Sequence, residues 1–327
     1  MTLNLSRRRF TQAALASTAG AALGLNFANR AFAADPLSMQ AAWVNDSEFV
    51  GYYAAIDEGY FKAEGLDVTY TSGGPDVIPE STLLSGTATL SLTAIETTVP
   101  AIVDQGAKFK IIGAQFQKHP IGVVSLASSN IKEPKDLIGK TLACPPVNLT
   151  SVKAMLKLNN VPEDKVRIVP YEYDPTPLIQ GNIDASIDFT TDVPFTIKQA
   201  GKEASFFLLY DYGFTIFADT VVVTEDTLKA RRADLVKWLR ASRKGWDKVF
   251  ADPAAYPPKL VDTWYKGTGR TLDNELFMTA AEKAIIQSPK GIFSMSDEDI
   301  QKNIDALGRV GIKATKAMFD TSLLAEI

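Results

Sequence analysis

The chain has 327 residues, 46% of them hydrophobic and 22% charged, a balance ordinary for a globular protein and long enough for two α/β lobes. Lys and Arg number 34 against 38 Asp and Glu, a formal charge of -4, which gives no reason to expect a nucleic-acid partner. A single histidine, His119, and a single cysteine, Cys144, leave no multi-histidine metal site and no intramolecular disulfide, and no cofactor is expected.

The N-terminus reads as a separate segment. Ser6-Arg7-Arg8-Arg9-Phe10 is followed by a small-residue apolar run from Ala13 to Leu25 and then by Ala31-Phe32-Ala33. A basic start, a short apolar stretch and an A-x-A site define a cleaved export signal over residues 1–33, not a membrane span. The paired arginines resemble a Tat signal, with a Sec signal as the alternative. Cleavage near Ala33 removes Arg7, Arg8, Arg9 and Arg30 and no acids, which would take the formal charge of -4 to -8. A periplasmic location is expected. No later stretch is long and apolar enough to span a bilayer.

From Trp43 to Gly74 the order is strand end, polar turn, helix, strand and a Gly-Gly loop. Phe49, Val50, Tyr53, Ile56 and Tyr60 recur at helical spacing, Asn45, Asp46 and Ser47 are N-cap types, and Gly65 ends the helix. Leu66 to Tyr70 alternates like a strand. The pattern continues with a helix at 77–84, a strand at 88–92, a helix at 95–104 containing Pro100, and a strand at 108–114. Extended residues 122–128 open a second alternation: strands at 140–144, 166–169, 184–188 and 205–209, with helices at 151–158, before Gly181, and at 193–199. Residues 217–224 are again extended. A helical tail follows at 231–250, 256–265, 274–286 and 297–310, and should fold back on the first lobe. The Gly267–Arg270 turn and the loop at Ser288-Pro289 read as surface connections. Alternating strands and helices of this length predict mainly parallel sheets, whose ligands bind at the carboxyl edge. The expected lobes are 34–125 plus 218–327, and 126–217.

Several stretches carry a family resemblance: W-x-N-x-x-x-F-x-G-Y-Y-A-A from Trp43, G-Y-F-x-x-E-G-L-D-V from Gly59, Gly73-Gly74, DLIGKTLA at Asp136–Ala143, GNIDASI at Gly181–Ile187 and the run from Asp219 to Pro253. In their order and spacing they resemble the periplasmic substrate-binding proteins of ABC importers that group with sulfonate-binding SsuA and the thiamine-pyrimidine synthases. The resemblance implies a two-lobed type II binding-protein fold with the ligand cleft between lobes. It also implies a permease and an ATPase subunit as partners, and a monomeric receptor rather than an enzyme. The enzyme branch carries a cysteine-rich motif and an active-site histidine with lysine-bound pyridoxal phosphate, which one cysteine and one histidine do not match.

The cleft-edge loops supply the candidate ligand residues: Trp43, Asn45, Phe49, Tyr52, Gly73, Gly74, Glu96, Phe116, Asn148, Thr150, Asp188, Thr190 and Tyr212. Tyr52 is taken as the cleft-facing and Tyr53 as the core-facing member of their pair. Between Ala31 and Ala230 the only arginine is Arg167. Sulfonate and nitrate are commonly held by arginine, so the aromatic and carboxylate loops favour a flat, hydrogen-bond-donating heterocycle, such as a thiamine pyrimidine precursor or a flavin. A small anion in the same transport role is the alternative.

Overall fold

A computed structural model describes residues 36–327; the expected export signal lies outside the described residues. Ten strands form two five-stranded sheets: β1 (Leu37–Gln40), β2 (Val68–Thr71), β3 (Leu90–Thr93), β4 (Phe109–Phe116), β5 (Ile121–Leu126), β6 (Thr141–Cys144), β7 (Arg167–Pro170), β8 (Ala185–Phe189), β9 (Ala204–Leu208) and β10 (Ala218–Thr224). The first sheet has the order β2-β1-β3-β10-β4 and the second β7-β6-β8-β5-β9. Each has parallel pairs on one side, β1 with β2 and β3 in one and β6 with β7 and β8 in the other. Each also has one antiparallel strand in the fourth position, β10 in the first sheet and β5 in the second. The two sheets therefore repeat one arrangement, and the chain passes between them twice, at residues 117–120 and 209–217.

That pairing moves a boundary. Ile121 to Ser125 are zipped between Phe189–Ala185 and the strand ending at Leu208, so β5 belongs to lobe two rather than to a first lobe reaching residue 125. A buried, β-branched run announces a strand but not the sheet that will claim it.

The helices are α1 (Val50–Asp57), α2 (Tyr60–Ala63), α3 (Pro79–Leu84), α4 (Ile95–Val103), α5 (Leu149–Leu158), α6 (Thr176–Gln180), α7 (Val193–Gln199), α8 (Glu225–Ala230), α9 (Arg232–Ala251), α10 (Leu272–Ile286) and α11 (Asp297–Arg309). The single helix expected after Asn45 is a 3-10 turn at Ser47–Phe49 followed by α1 and α2, with Gly59 at φ 72° between them. A left-handed residue cannot continue a helix. Residues 256–265 form a 3-10 turn at Pro257–Leu260 and then close around Tyr265, whose N–H bonds back to the Leu260 carbonyl at 3.0 Å.

In the tail, α9 lies along α1 where Gly51 faces Gly245 and the Trp246 ring, and a Cβ at either glycine would overlap those atoms. Tyr52 stacks on Trp238 at 5.6 Å and meets Trp246 edge-on at 5.8 Å. This aromatic layer anchors the tail to lobe one. Helix α11 instead braces the second crossing. Asn303 Oδ1 accepts the Phe217 N–H at 2.6 Å, and Arg309 donates to the Gly213 carbonyl at 3.0 Å.

Candidate functional site

The ends of β1 and β4, the start of β10, the Ser47–Phe49 turn and α10 converge on one polar centre. Asp46 caps the turn, its carboxylate accepting the Glu48 N–H at 2.9 Å. Gln115, at the end of β4, donates from Nε2 to the Glu48 carbonyl at 2.7 Å and to Asp219 Oδ2 at 3.1 Å. Asp219 enters β10 at φ 47°, a left-handed conformation that a short polar residue tolerates better than a branched one. On α10 the residues Glu275, Thr279 and Glu282 are spaced at i, i+4 and i+7, so they share the helix face turned towards the turn. Glu275 accepts the Ser47 N–H at 2.6 Å and pairs with Arg270 Nε, while Thr279 donates to Ser47 Oγ at 2.9 Å.

Five carboxyl groups are thus buried close together with one guanidinium. Burial, reinforced by neighbouring acids, pushes Asp46 up to about 8 despite the opposing pull of Arg270. Glu48 is raised by burial and then by Asp219 and Asp46. Burial takes Asp219 up to about 6, offset in part by Glu48 and His119. Burial and the charges of Asp46, Glu275 and Asp219 raise Glu282. Burial lowers the Arg270 guanidinium, but Asp46, Asp192 and Glu275 outweigh it and hold the group above its ordinary range. Among the described residues no acid, histidine or cysteine group has the arrangement to hold a metal ion.

Unpaired polar atoms mark the same edge. Buried side-chain oxygens without a hydrogen-bond partner include Asn45 Oδ1, Glu96 Oε2, Gln115 Oε1 and both oxygens of Glu282. A buried polar group left without a partner is costly, so an edge that collects them is suited to a molecule that brings both donors and acceptors.

Lobe two meets this edge through the loop after β8. Asp188 takes hydrogen bonds from Tyr171 and Ser186, and burial lifts its carboxyl to about 7 against those donors. Thr190 donates to the Pro120 carbonyl at 3.1 Å, tying the loop to the first crossing. Asp192 reaches across to the tail, where Arg270 approaches it at 3.2 Å and Asn274 Nδ2 donates at 2.9 Å. Phe195 packs against Phe277 beside them, with ring centroids 5.4 Å apart. A groove of about 340 Å³ runs along this junction, lined by Tyr173, Pro175, Asp192, Phe195, Arg270 and Asn274. Arg270 therefore stands between the groove and the acidic centre. The turn carrying it, expected as a surface connection, is a lobe-bridging element, because three carboxylates draw the guanidinium inward.

The sequence-predicted ligand residues divide sharply. Phe49, Tyr52 and Phe116 are fully buried in the packing of lobe one, and Tyr52 as well as Tyr53 is a core residue. The spacing argument failed there because α1 is covered on two sides, by α9 and by the aromatic group of Tyr70, Trp264 and Tyr265. Gly73 is required by a close approach of its loop to the Ala41 carbonyl, 2.5 Å from where a Cβ would stand, and Gly74 beside it is buried at φ 155°. Tyr212 packs edge-on to Phe207, and its carbonyl accepts from Asn159 at the C-terminal end of α5, away from the cleft edge. Thr150 is exposed on α5, and Asn148 accepts the Tyr173 hydroxyl at 3.1 Å rather than capping the helix. Asn45 is not the cap either; its Nδ2 donates to the Trp264 carbonyl at 3.1 Å, leaving Oδ1 free. Trp43 is 38% exposed beside it. Glu96 opens α4 and faces His119 at 3.5 Å. Asp46, Glu48 and Asp192 belong to the carboxylates that the sequence places on the cleft-edge loops, whereas Gln115, Asp219, Arg270, Glu275 and Glu282 were not singled out as ligand residues. A usable signal lay in α10, whose acids fall on the face that its apolar neighbours bury.

Two α/β lobes with this strand order define the periplasmic binding-protein class of fold, and solved structures agree. The periplasmic aliphatic sulphonate binding protein SsuA from Escherichia coli superposes with a TM-score of 0.65 at 12% identity, covering 84% of this chain and 85% of that one. The desulfurization enzyme DSZB shares the fold at a TM-score of 0.56 and 12% identity, over 88% and 98% of the two chains. The family is narrower than the fold: the NMT1/THI5 like family matches residues 46–256, and the chain belongs to it. Among curated relatives, the riboflavin-binding protein RibY of Chloroflexus aurantiacus is 24% identical over 66% of this chain and 63% of its own length. The formylaminopyrimidine-binding protein of Halalkalibacterium halodurans is 23% identical over 68% of each. The chain thus spans about two thirds of the length of these relatives.

Proposed function

We propose that this protein is the extracytoplasmic solute-binding component of an ABC importer. It would capture a small heteroaromatic solute by closure of its two lobes and deliver it to a permease driven by an ATPase subunit. In this reading the chain is exported, acts in the periplasm as a monomer, and performs no chemistry on its ligand. One observation supports the ligand class: the buried acceptors Asn45 Oδ1 and Gln115 Oε1 on the lobe-one edge have no donor within the chain, and a ring bearing N–H groups would supply one. Arg270, the cation at the junction, is already engaged by Asp192, Glu275 and Asn274, which leaves a sulfonate or nitrate without a free counter-charge there. The names of the two curated relatives, binding proteins for a pyrimidine and a flavin, support a flat ring. Among the described residues no helix is long and apolar enough to cross a membrane.

Trp43, Asn45, Glu96, Asp188 and Thr190 remain the proposed contacts from the sequence, joined by Gln115 and Asp192. Isothermal titration of the chain from residue 34 onward tests the ligand class, using an aminopyrimidine, riboflavin, taurine and nitrate. Saturable heat with a heterocycle and none with the anions is expected. Binding of taurine or nitrate alone would overturn the reading.

A further inference from the structure

We infer that His119 is a proton switch in the hinge between the lobes. Neutral, its ring ties the first crossing to lobe two; charged, it releases that lobe and turns to the acids of lobe one. The inference concerns the opening of the lobes and is independent of what the cleft binds.

The first crossing is short, residues 117–120, and the single histidine of the chain stands in it. The His119 backbone N–H donates to the Ile216 carbonyl of the second crossing at 3.2 Å, so the two crossings meet at this residue. Its ring makes a different bond. Nδ1 accepts the N–H of Ile121, the first residue of β5, at 3.1 Å. That bond sets the angle at which the chain enters lobe two. On either side of it, Gln117 and Lys118 donate their N–H groups to the Ile285 carbonyl at 2.9 and 3.2 Å, and the Pro120 carbonyl accepts the Thr190 N–H and hydroxyl, each at 3.1 Å. Of these ties, the one through Nδ1 is the one a proton removes.

An imidazole nitrogen that accepts a hydrogen bond carries no proton, so the neutral ring holds its proton on Nε2, which faces Glu96 Oε1 at 3.5 Å. Protonation places an N–H on Nδ1, opposite the N–H of Ile121. Two donors cannot share that contact, and the ring has to leave it. The charges around the ring decide where it goes. Glu96 at the start of α4 and Asp219 at the start of β10 are both acids of lobe one, with Glu48 behind Asp219. Glu96 Oε2 is buried without a hydrogen-bond partner, so that carboxylate gains from a charge beside it. Lys118, on the same crossing, is engaged by Asp211 of the second crossing at 3.0 Å. The loop after β8 approaches with Thr190 and α10 with Ile285, neither of them charged. The attraction is therefore towards lobe one, and the loss falls on Ile121 of lobe two. Acid thus withdraws population from the arrangement that the Nδ1 bond fixes, and a hydrogen bond of ordinary strength makes that shift about two- to tenfold.

The test needs no ligand. The chain from residue 34 onward, without a histidine tag, is compared as wild type, His119→Asn and His119→Leu by small-angle scattering between about pH 5 and 8, the interval in which histidine changes charge. Asparagine accepts from the N–H two residues on at any pH in that interval, and leucine at none. Wild type should match His119→Asn at the alkaline end and His119→Leu at the acid end, with the extended population rising about two- to tenfold on acidification. Asp46, Asp188 and Asp219 also titrate near this interval, but all three proteins share them, so the difference between the curves belongs to residue 119. Nitrogen-15 correlation spectra of the single histidine should show the proton of the neutral ring on Nε2. A neutral ring protonated on Nδ1 overturns the switch, as does a wild-type curve that coincides with that of His119→Asn throughout. A folded His119→Leu protein as compact as His119→Asn at the alkaline end also overturns it, because the ring bond then holds nothing. Should His119→Leu fail to fold, the wild-type and His119→Asn curves decide alone: divergence on acidification supports the switch and coincidence refutes it.

Discussion

Replacing Asp192 by Asn probes whether the junction between lobe two and the tail holds the closed state. Asp192 receives Arg270 at 3.2 and 3.3 Å and Asn274 at 2.9 Å, three contacts across the cleft. Its side chain is 26% exposed and that of Arg270 18%, so the pair is neither fully screened nor fully desolvated. A charge-assisted hydrogen bond contributes about 1.5–3 kcal/mol when buried, and an exposed ion pair about 0.2–1 kcal/mol. Asparagine keeps an acceptor for Asn274 and loses the charge that Arg270 seeks, which leaves a loss of about 1–2 kcal/mol. If those contacts exist only in the closed form, the closed population falls about 5- to 30-fold relative to the open one. Asp192 is the better site to perturb. Removing Arg270 would strand Glu275, which is 0% exposed, and a buried charge without its partner costs about 3–5 kcal/mol of fold stability. Small-angle scattering should show a more extended Asp192→Asn protein, and calorimetry a correspondingly weaker ligand. Unchanged scattering together with unchanged affinity would refute the role assigned to this junction.

Three further outcomes are expected. Gly51→Ala should destabilise the fold by about 3 kcal/mol or more in urea unfolding, because the added methyl overlaps the Trp246 ring; a change under about 0.5 kcal/mol would contradict that packing. Asp188 is raised by burial from 3.8 to about 7, so the folded chain holds this proton where the unfolded chain has lost it. The corresponding stability is complete below about pH 4 and is lost as pH rises to about 7, a contribution on the order of 4 kcal/mol. Asp188→Asn should therefore flatten the fall in melting temperature between about pH 4 and 7, and an unaltered slope would refute it. Trp43→Ala should leave the circular dichroism and melting temperature nearly unchanged, since the ring is 38% exposed, yet weaken ligand binding about tenfold; unchanged affinity removes Trp43 from the site.

The alternation of strands and helices was legible because it is local. Apolar spacing, glycine stops and β-branched runs placed nearly every strand within two residues, as at Lys140–Cys144 against β6 (Thr141–Cys144). The family followed from the same ordered motifs. Tertiary structure decided which sheet took β5, because pairing partners 60 or more residues away carry no trace in the strand itself. It also decided the site. Asp46, Gln115, Asp219 and Glu282 come from distant parts of the chain, and a carboxylate bound for the interior looks the same in sequence as one bound for solvent. Arg270 shows the limit most plainly. Read locally, it closes a polar Gly-Thr-Gly turn; in the folded chain it meets Asp192, 78 positions earlier, because the two lobes close on each other there. Local periodicity determines the elements, and only the packing of lobe on lobe determines which charges must find one another.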